Sequence, residues 1–209
     1  MQESYQMDSI EKFFLPPCKP IELPEELQES GERSTLHLLR RDLENLYLEE
    51  NDFGTIRSGQ HKAPYLASMG ILTGLDLMAK FFNSSTERNR ETFTNFLTLI
   101  GELSTSDATF MWEFRNALHH SYSLALKSSR NIIFTTEVNN FSWHIVKGEN
   151  HIINLWNLKL LFLNLAKTYK TKLLLNEDLK SKFYERYNDA GCIFVQGQKK
   201  RPGVVPEIL

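Results

Sequence analysis

Hydrophobic positions repeat with helical spacing over most of the chain. In STLHLLRRDLENLYLEE, which begins at Ser34, Leu36, Leu39, Leu43, Leu46 and Tyr47 form one stripe, with Ser34 and Thr35 available to cap its start. This predicts a first helix ending near NDFG. A second, HKAPYLASMGILTGLDLMAKFF at about 61–82, is apolar nearly all round and contains small residues that permit close packing, so it belongs at the centre of the fold. The polar stretch NSSTERNRE separates it from a third, TFTNFLTLIGEL, and the capping-type sequence STSDA leads into a fourth. The pattern then turns β-branched and aromatic in NIIFTTEV, FSWHIVKG and HIINL, which predicts a small β-hairpin at about 131–147 turning at Asn139-Asn140. A long apolar helix at about 154–175 and a last one at about 176–189 follow. The expected fold class is mainly α, an up-and-down helical bundle with a small inserted β-hairpin.

Four of the seven prolines fall in LPPCKPIELP, residues 15–24, where they exclude regular helix. Residues 1–33 are therefore expected to form an extended arm, residues 34–196 the helical domain, and residues 197–209 a tail.

Composition narrows the function little. A net charge of −2 gives no global attraction to nucleic acid or anionic membrane. Charge is uneven, however: residues 1–34 carry eight acidic and three basic side chains, and residues 167–201 nine basic and four acidic. A solvated helix face accounts for the basic segment as well as a ligand site does, and QKKRPG at 198–203 reads as a solvated tail before it reads as a phosphate contact. Cys18 and Cys192 are far apart and lack metal-ligand spacing, so neither a zinc site nor a disulfide framework is implied. The N-terminus has no basic and apolar leader pattern, and no uninterrupted apolar run is long enough to span a bilayer. The expectation is a cytoplasmic protein with no membrane partner.

The candidate chemistry is concentrated in MWEFRNALHHSYSL, residues 111–124, on the fourth helix. With Arg115 at zero on a helical wheel, Tyr122 falls at about −20°, His119 at about 40°, Ser123 at about 80°, Asn116 at about 100° and His120 at about 140°. Phe114, Ala117, Leu118, Leu124 and Ala125 lie on the opposite side, so the polar set is expected to face outward, toward solvent or a partner. Metal-free cleavage of RNA needs a base for the 2′-hydroxyl, an acid for the leaving 5′-oxygen and a cation for the phosphorane. Histidine suits the first two tasks and arginine the third. One helix supplies one such set, and two copies across a dimer twofold supply both.

These residues resemble the signature of the HEPN superfamily: arginine, a polar residue, a few variable positions, then histidine on a long helix of a small bundle. Arg115, Asn116 and His120 match it, and Tyr122 extends the match to the arginine, four residues, histidine, any residue, tyrosine form of HEPN toxins paired with a minimal nucleotidyltransferase antitoxin. The resemblance implies a HEPN-like domain over about 34–175 and a homodimer cutting RNA without cofactor or metal. Arg115, Asn116 and His120 would be catalytic, with His119 shaping the site. Tyr122 would be a site of adenylylation by a nucleotidyltransferase antitoxin. A toxin or phage-defence effector fits this implication. A non-catalytic HEPN-like module that binds RNA, nucleotide or a second copy uses the same polar helix and remains the alternative.

His37, His61, His144 and His151 share no spacing and read as surface or satisfied core residues. Asp76, in the apolar GLDLMAKF, is a candidate buried carboxylate expected to meet a lysine or cap a local amide. Trp112, Trp143 and Trp156 form no base-stacking ladder, and at least two of them are expected in the core.

Overall fold

A computed structural model of the chain describes residues 8–18, 20–46, 64–84, 89–121, 131–135, 142–190 and 192–194, with residues 20, 45, 46, 120, 121, 188–190 and 192–194 described by their backbone alone. The described residues are mainly α-helical with little sheet. The stripe that begins at Leu36 forms α3 (Thr35–Leu46), and Leu36 and Leu43 are buried. The all-apolar segment forms α4 (Pro64–Asn83), followed by α5 (Arg90–Leu99), α6 (Thr105–Ser121), α7 (Leu155–Leu175) and α8 (Glu177–Ala190). As its composition requires, α4 is central and packs against α3, α5, α6, α7 and α8. Close approach depends on its small residues: a Cβ on Gly74 would lie 2.6 Å from the Phe162 ring on α7 and 3.0 Å from Leu39 on α3. Among the described residues, α4 is the one helix long and apolar enough to cross a membrane by length and composition, and most of it is buried within the fold.

Local signals set the helix starts. The Asn89 side chain accepts from the Thr92 amide at 2.7 Å ahead of α5, and the Asn154 side chain accepts from the Asn157 amide at 3.0 Å ahead of α7. The STSDA sequence behaves as expected, although α6 begins within it, at Thr105. Ser104 Oγ accepts from the Asp107 amide at 3.0 Å and donates to the Asp107 carboxylate at 2.7 Å.

The N-terminal segment differs from the expected extended arm. It contains α1 (Ser9–Phe13), a 3-10 turn (Pro20–Glu22), α2 (Glu25–Ser30) and strand β1 (Glu32–Ser34). Ile10 and Phe13 are fully buried, and the Phe13 ring centroid lies 4.6 Å from that of Phe81 and 5.3 Å from that of Phe183. Lys12 Nζ reaches Glu26 at 2.8 Å and Glu32 at 3.3 Å, so part of the acidic excess is neutralised within the segment. Prolines exclude helix from residues 15–18, but they do not exclude burial of the residues around them. Ile10, Phe13 and Phe14 have helical spacing over too short a span for periodicity to register. β1 pairs antiparallel with β5 (Cys192–Phe194), joining the end of the N-terminal segment to the last described residues.

The β-region also differs from expectation. β2 (Asn131–Thr135), β3 (His144–Lys147) and β4 (Asn150–Asn154) form a sheet of order β2-β4-β3. β4 pairs parallel with β2 and antiparallel with β3, so the hairpin spans 144–154 and turns at Gly148-Glu149. Gly148 has φ +60, the positive value a tight two-residue hairpin turn requires at its first central position. Asn139-Asn140 lies outside the described residues, as do His61, Tyr122 and the expected tail at 197–209.

Candidate functional site on helix α6

The core side of α6 is as the wheel predicts. Met111, Phe114 and Leu118 are fully buried, Phe110 nearly so, and the Phe114 ring packs 6.1 Å from that of Phe134 on β2. The polar side is different, because Arg115 does not face outward. It is 2% exposed, and α4 covers it.

Asp76, Asn116 and Trp112 lie around the Arg115 guanidinium. Nη2 lies 3.5 Å from Oδ2 of Asp76 on α4, and Nη1 donates to Oδ1 of Asn116 at 2.7 Å. The guanidinium carbon lies 5.2 Å from the centre of the Trp112 ring, a cation–π distance. Asp76 is itself 6% exposed and also faces Lys80 Nζ at 3.9 Å, one helical turn along α4. The lysine expected beside Asp76 is present, and Arg115 is an additional partner. A wheel assigns each residue an angle but does not say how much of the circumference neighbouring helices cover. Here α4 covers the Arg115 side as well, and Asp76 supplies a counter-charge in the same buried space that offsets the cost of burying the guanidinium.

Asn116 is half-buried, and its side-chain carbonyl oxygen accepts from Arg115. His119 is half-buried, and its Nε2 lies 3.4 Å from Thr73 Oγ1 on α4, which joins the two helices near the surface. The backbone of α6 continues through His120, whose side chain lies outside the described atoms. The structure thus brings Arg115, Asn116 and Asp76 together, and places His119 one turn further along the same helix.

Sequence reasoning missed two relations. Asp76 was recognisable as the lone carboxylate of an apolar helix, but its partner was not. His144 and His151 share no sequence spacing, yet Nε2 of His144 lies 2.7 Å from Nδ1 of His151. The signal was the hairpin register: a turn at Gly148-Glu149 pairs Val146 with His151 and puts His144 two residues along the same face. His37 is a satisfied core residue as expected, 3% exposed with Nδ1 3.3 Å from the Leu15 carbonyl oxygen. All three tryptophans are partly buried against the core. Among the described residues, no group of three or more histidine, cysteine, aspartate or glutamate side chains could hold a metal ion.

No family model, curated protein or solved structure matches the chain at significant similarity. The functional reading accordingly rests on residues 115–122 and on the surroundings of α6.

Proposed function

We propose that the chain is a HEPN-type endoribonuclease that cuts RNA without a metal, through a composite site built from α6 of two copies related by a twofold axis. The observation that carries this reading is the Arg115–Asn116 pair, closed at 2.7 Å and backed by Asp76, on the helix that continues into His120. In the reaction, His120 of one copy takes the proton of the 2′-hydroxyl, and the 2′-oxygen attacks phosphorus. The bond to the 5′-oxygen breaks, and His120 of the other copy protonates that leaving oxygen. Arg115 stabilises the phosphorane through its Nη groups, and Asn116 fixes the plane of the guanidinium. The products are a 2′,3′-cyclic phosphate and a 5′-hydroxyl. In this reading, a toxin or phage-defence role fits the cytoplasm, and Tyr122 is the residue that a nucleotidyltransferase antitoxin would adenylylate.

The test is incubation of the purified protein and of His120→Ala with end-labelled RNA in excess EDTA. Cleavage by the first and not the second, leaving cyclic phosphate ends, supports the proposal. Cleavage of RNA that carries a 2′-deoxy sugar at the scissile nucleotide refutes the mechanism.

One observation favours a second reading. Arg115 is 2% exposed, with a carboxylate, an amide and an indole already around it. A phosphate would have to compete with Asp76 for the guanidinium, whereas a HEPN-like module that dimerises or binds RNA without cutting it needs no such exchange. RNA binding by the wild type with no cleavage, unchanged in affinity in Arg115→Lys, would select the module.

A further inference from the structure

On the side of α6 opposite Arg115, three ionisable side chains form a chain of contacts. The carboxylate Oδ1 of Asp107 lies 3.5 Å from Nδ1 of His144, and Nε2 of His144 lies 2.7 Å from Nδ1 of His151. Both imidazoles lie on Phe110, with ring centroids 3.9 Å and 4.2 Å from its own and planes within 13° and 8° of parallel. The two imidazole centroids are only 5.0 Å apart, so the rings sit side by side on one face of Phe110, joined edge to edge. The Asp107 side chain is 41% exposed and that of His144 8% exposed, while His151 as a residue is 6% exposed. Solvent protons therefore reach the pair from the Asp107 end.

A nitrogen-to-nitrogen contact of 2.7 Å requires one ring to donate and the other to accept. The pair meets this condition when both rings are neutral. It also meets it with one added proton, because a doubly protonated His144 donates to Asp107 on one side and to His151 on the other. A second added proton leaves two N–H groups facing each other and two like charges in one buried space.

Among the described residues, Asp107 is the ionisable group that faces the pair from α6. Ile132 from β2, Val146 from β3 and Ile153 from β4 complete the same face of the sheet, and the Trp143 ring lies 5.1 Å from His144. Lys147 alternates to the other face of β3, and Glu113 and Glu149 are exposed. Among the described residues, Asp107 and the electron-rich face of Phe110 offset added positive charge, and the 2.7 Å contact between the two rings accommodates one added proton and not two.

We propose that Asp107, His144 and His151 form a proton-binding site that clips the β3–β4 hairpin to α6 while it holds at most one added proton, and opens when a second binds. Burial supports this by holding the His144 imidazole below the ordinary histidine range, with Asp107 pulling the other way. The proposal is independent of any nuclease activity.

The test is a titration of the full-length, 15N-labelled protein from pH 8 to 4, following the imidazole nitrogens and the exchange of backbone amides. His144 and His151 are expected to protonate in two coupled steps separated by more than about one pH unit. The second step should coincide with loss of protection in β3 and β4, while α7 stays protected. Asp107→Asn is expected to move the first step to lower pH. In His151→Gln, His144 is expected to titrate in one step, and hairpin protection should no longer follow the lower transition. Independent titration of the two rings in ordinary single steps, or a hairpin still protected past the second step, overturns the proposal. Should His151→Gln fail to fold, the wild-type titration decides alone.

Discussion

Replacing Asp76 with alanine removes a carboxylate that faces a nearly fully buried guanidinium. At the observed 3.5 Å, the gross Coulomb attraction is about 5 kcal/mol at an effective dielectric constant of about 20. Loss of one member of a buried pair typically costs about 3–5 kcal/mol, because the remaining charge is left in low dielectric. Arg115 keeps Asn116 and Trp112, and Lys80 has a 16% exposed side chain that can turn toward water, so the lower end, about 3 kcal/mol, is expected. Urea unfolding followed by circular dichroism measures the loss as a fall in midpoint at constant slope. A double-mutant cycle with Arg115→Met isolates the pair, since the double mutant is expected to recover much of the stability lost by Asp76→Ala. A loss below about 1 kcal/mol with no coupling would refute the reasoning, because it would mean that Arg115 is solvated in the folded protein, as the helical wheel alone suggests.

Three further outcomes are expected. Phe13→Ala should cost about 3–5 kcal/mol in the same urea assay, as for any fully buried aromatic ring, whereas a detachable arm would lose almost nothing. Tyr169→Phe should raise the thermal midpoint, by an amount equivalent to about 1 kcal/mol, since the hydroxyl is buried with no hydrogen-bond partner among the described residues and burial pushes its ionisation far above the usual tyrosine range; a drop of similar size would show that the hydroxyl is bonded. Burial holds His37 below its ordinary value of 6.5, so between that value and its folded value the unfolded chain binds more protons, and stability falls as pH drops through this window. Thermal midpoints measured at about pH 7.5 and pH 5.5 should show the fall, and His37→Gln should reduce it; an unchanged pH dependence would remove His37 as a contributor.

Helices α3 to α8 were legible because each carries a stripe or an all-apolar run long enough to exceed chance, with serine or asparagine caps at several starts. The N-terminal helices were not, since five- and six-residue helices among prolines offer no period to detect. The β-region was recognised by residue type, yet its pairing was misread: Asn139-Asn140 looked like the turn, while Gly148-Glu149 makes it and β2 joins in parallel. Of the candidate site, the residue types on α6 were legible and their surroundings were not. Arg115 had an angle on the wheel but no neighbour, because Asp76 lies 39 positions earlier in the chain.

By itself, the sequence determined the helical class, the central position of α4 and the inward side of α6. These follow from local periodicity, and any compact packing that buries apolar area has to respect it. Tertiary structure alone decided that Ile10, Phe13, Phe14, Leu23 and Leu27 belong to the core, that Arg115 is held by Asp76 inside the fold, and that His144 meets His151 on Phe110. Each of these is a contact between segments distant along the chain or across a turn. Its energy depends on burial and on the partner's charge, and no window of neighbouring residues contains either.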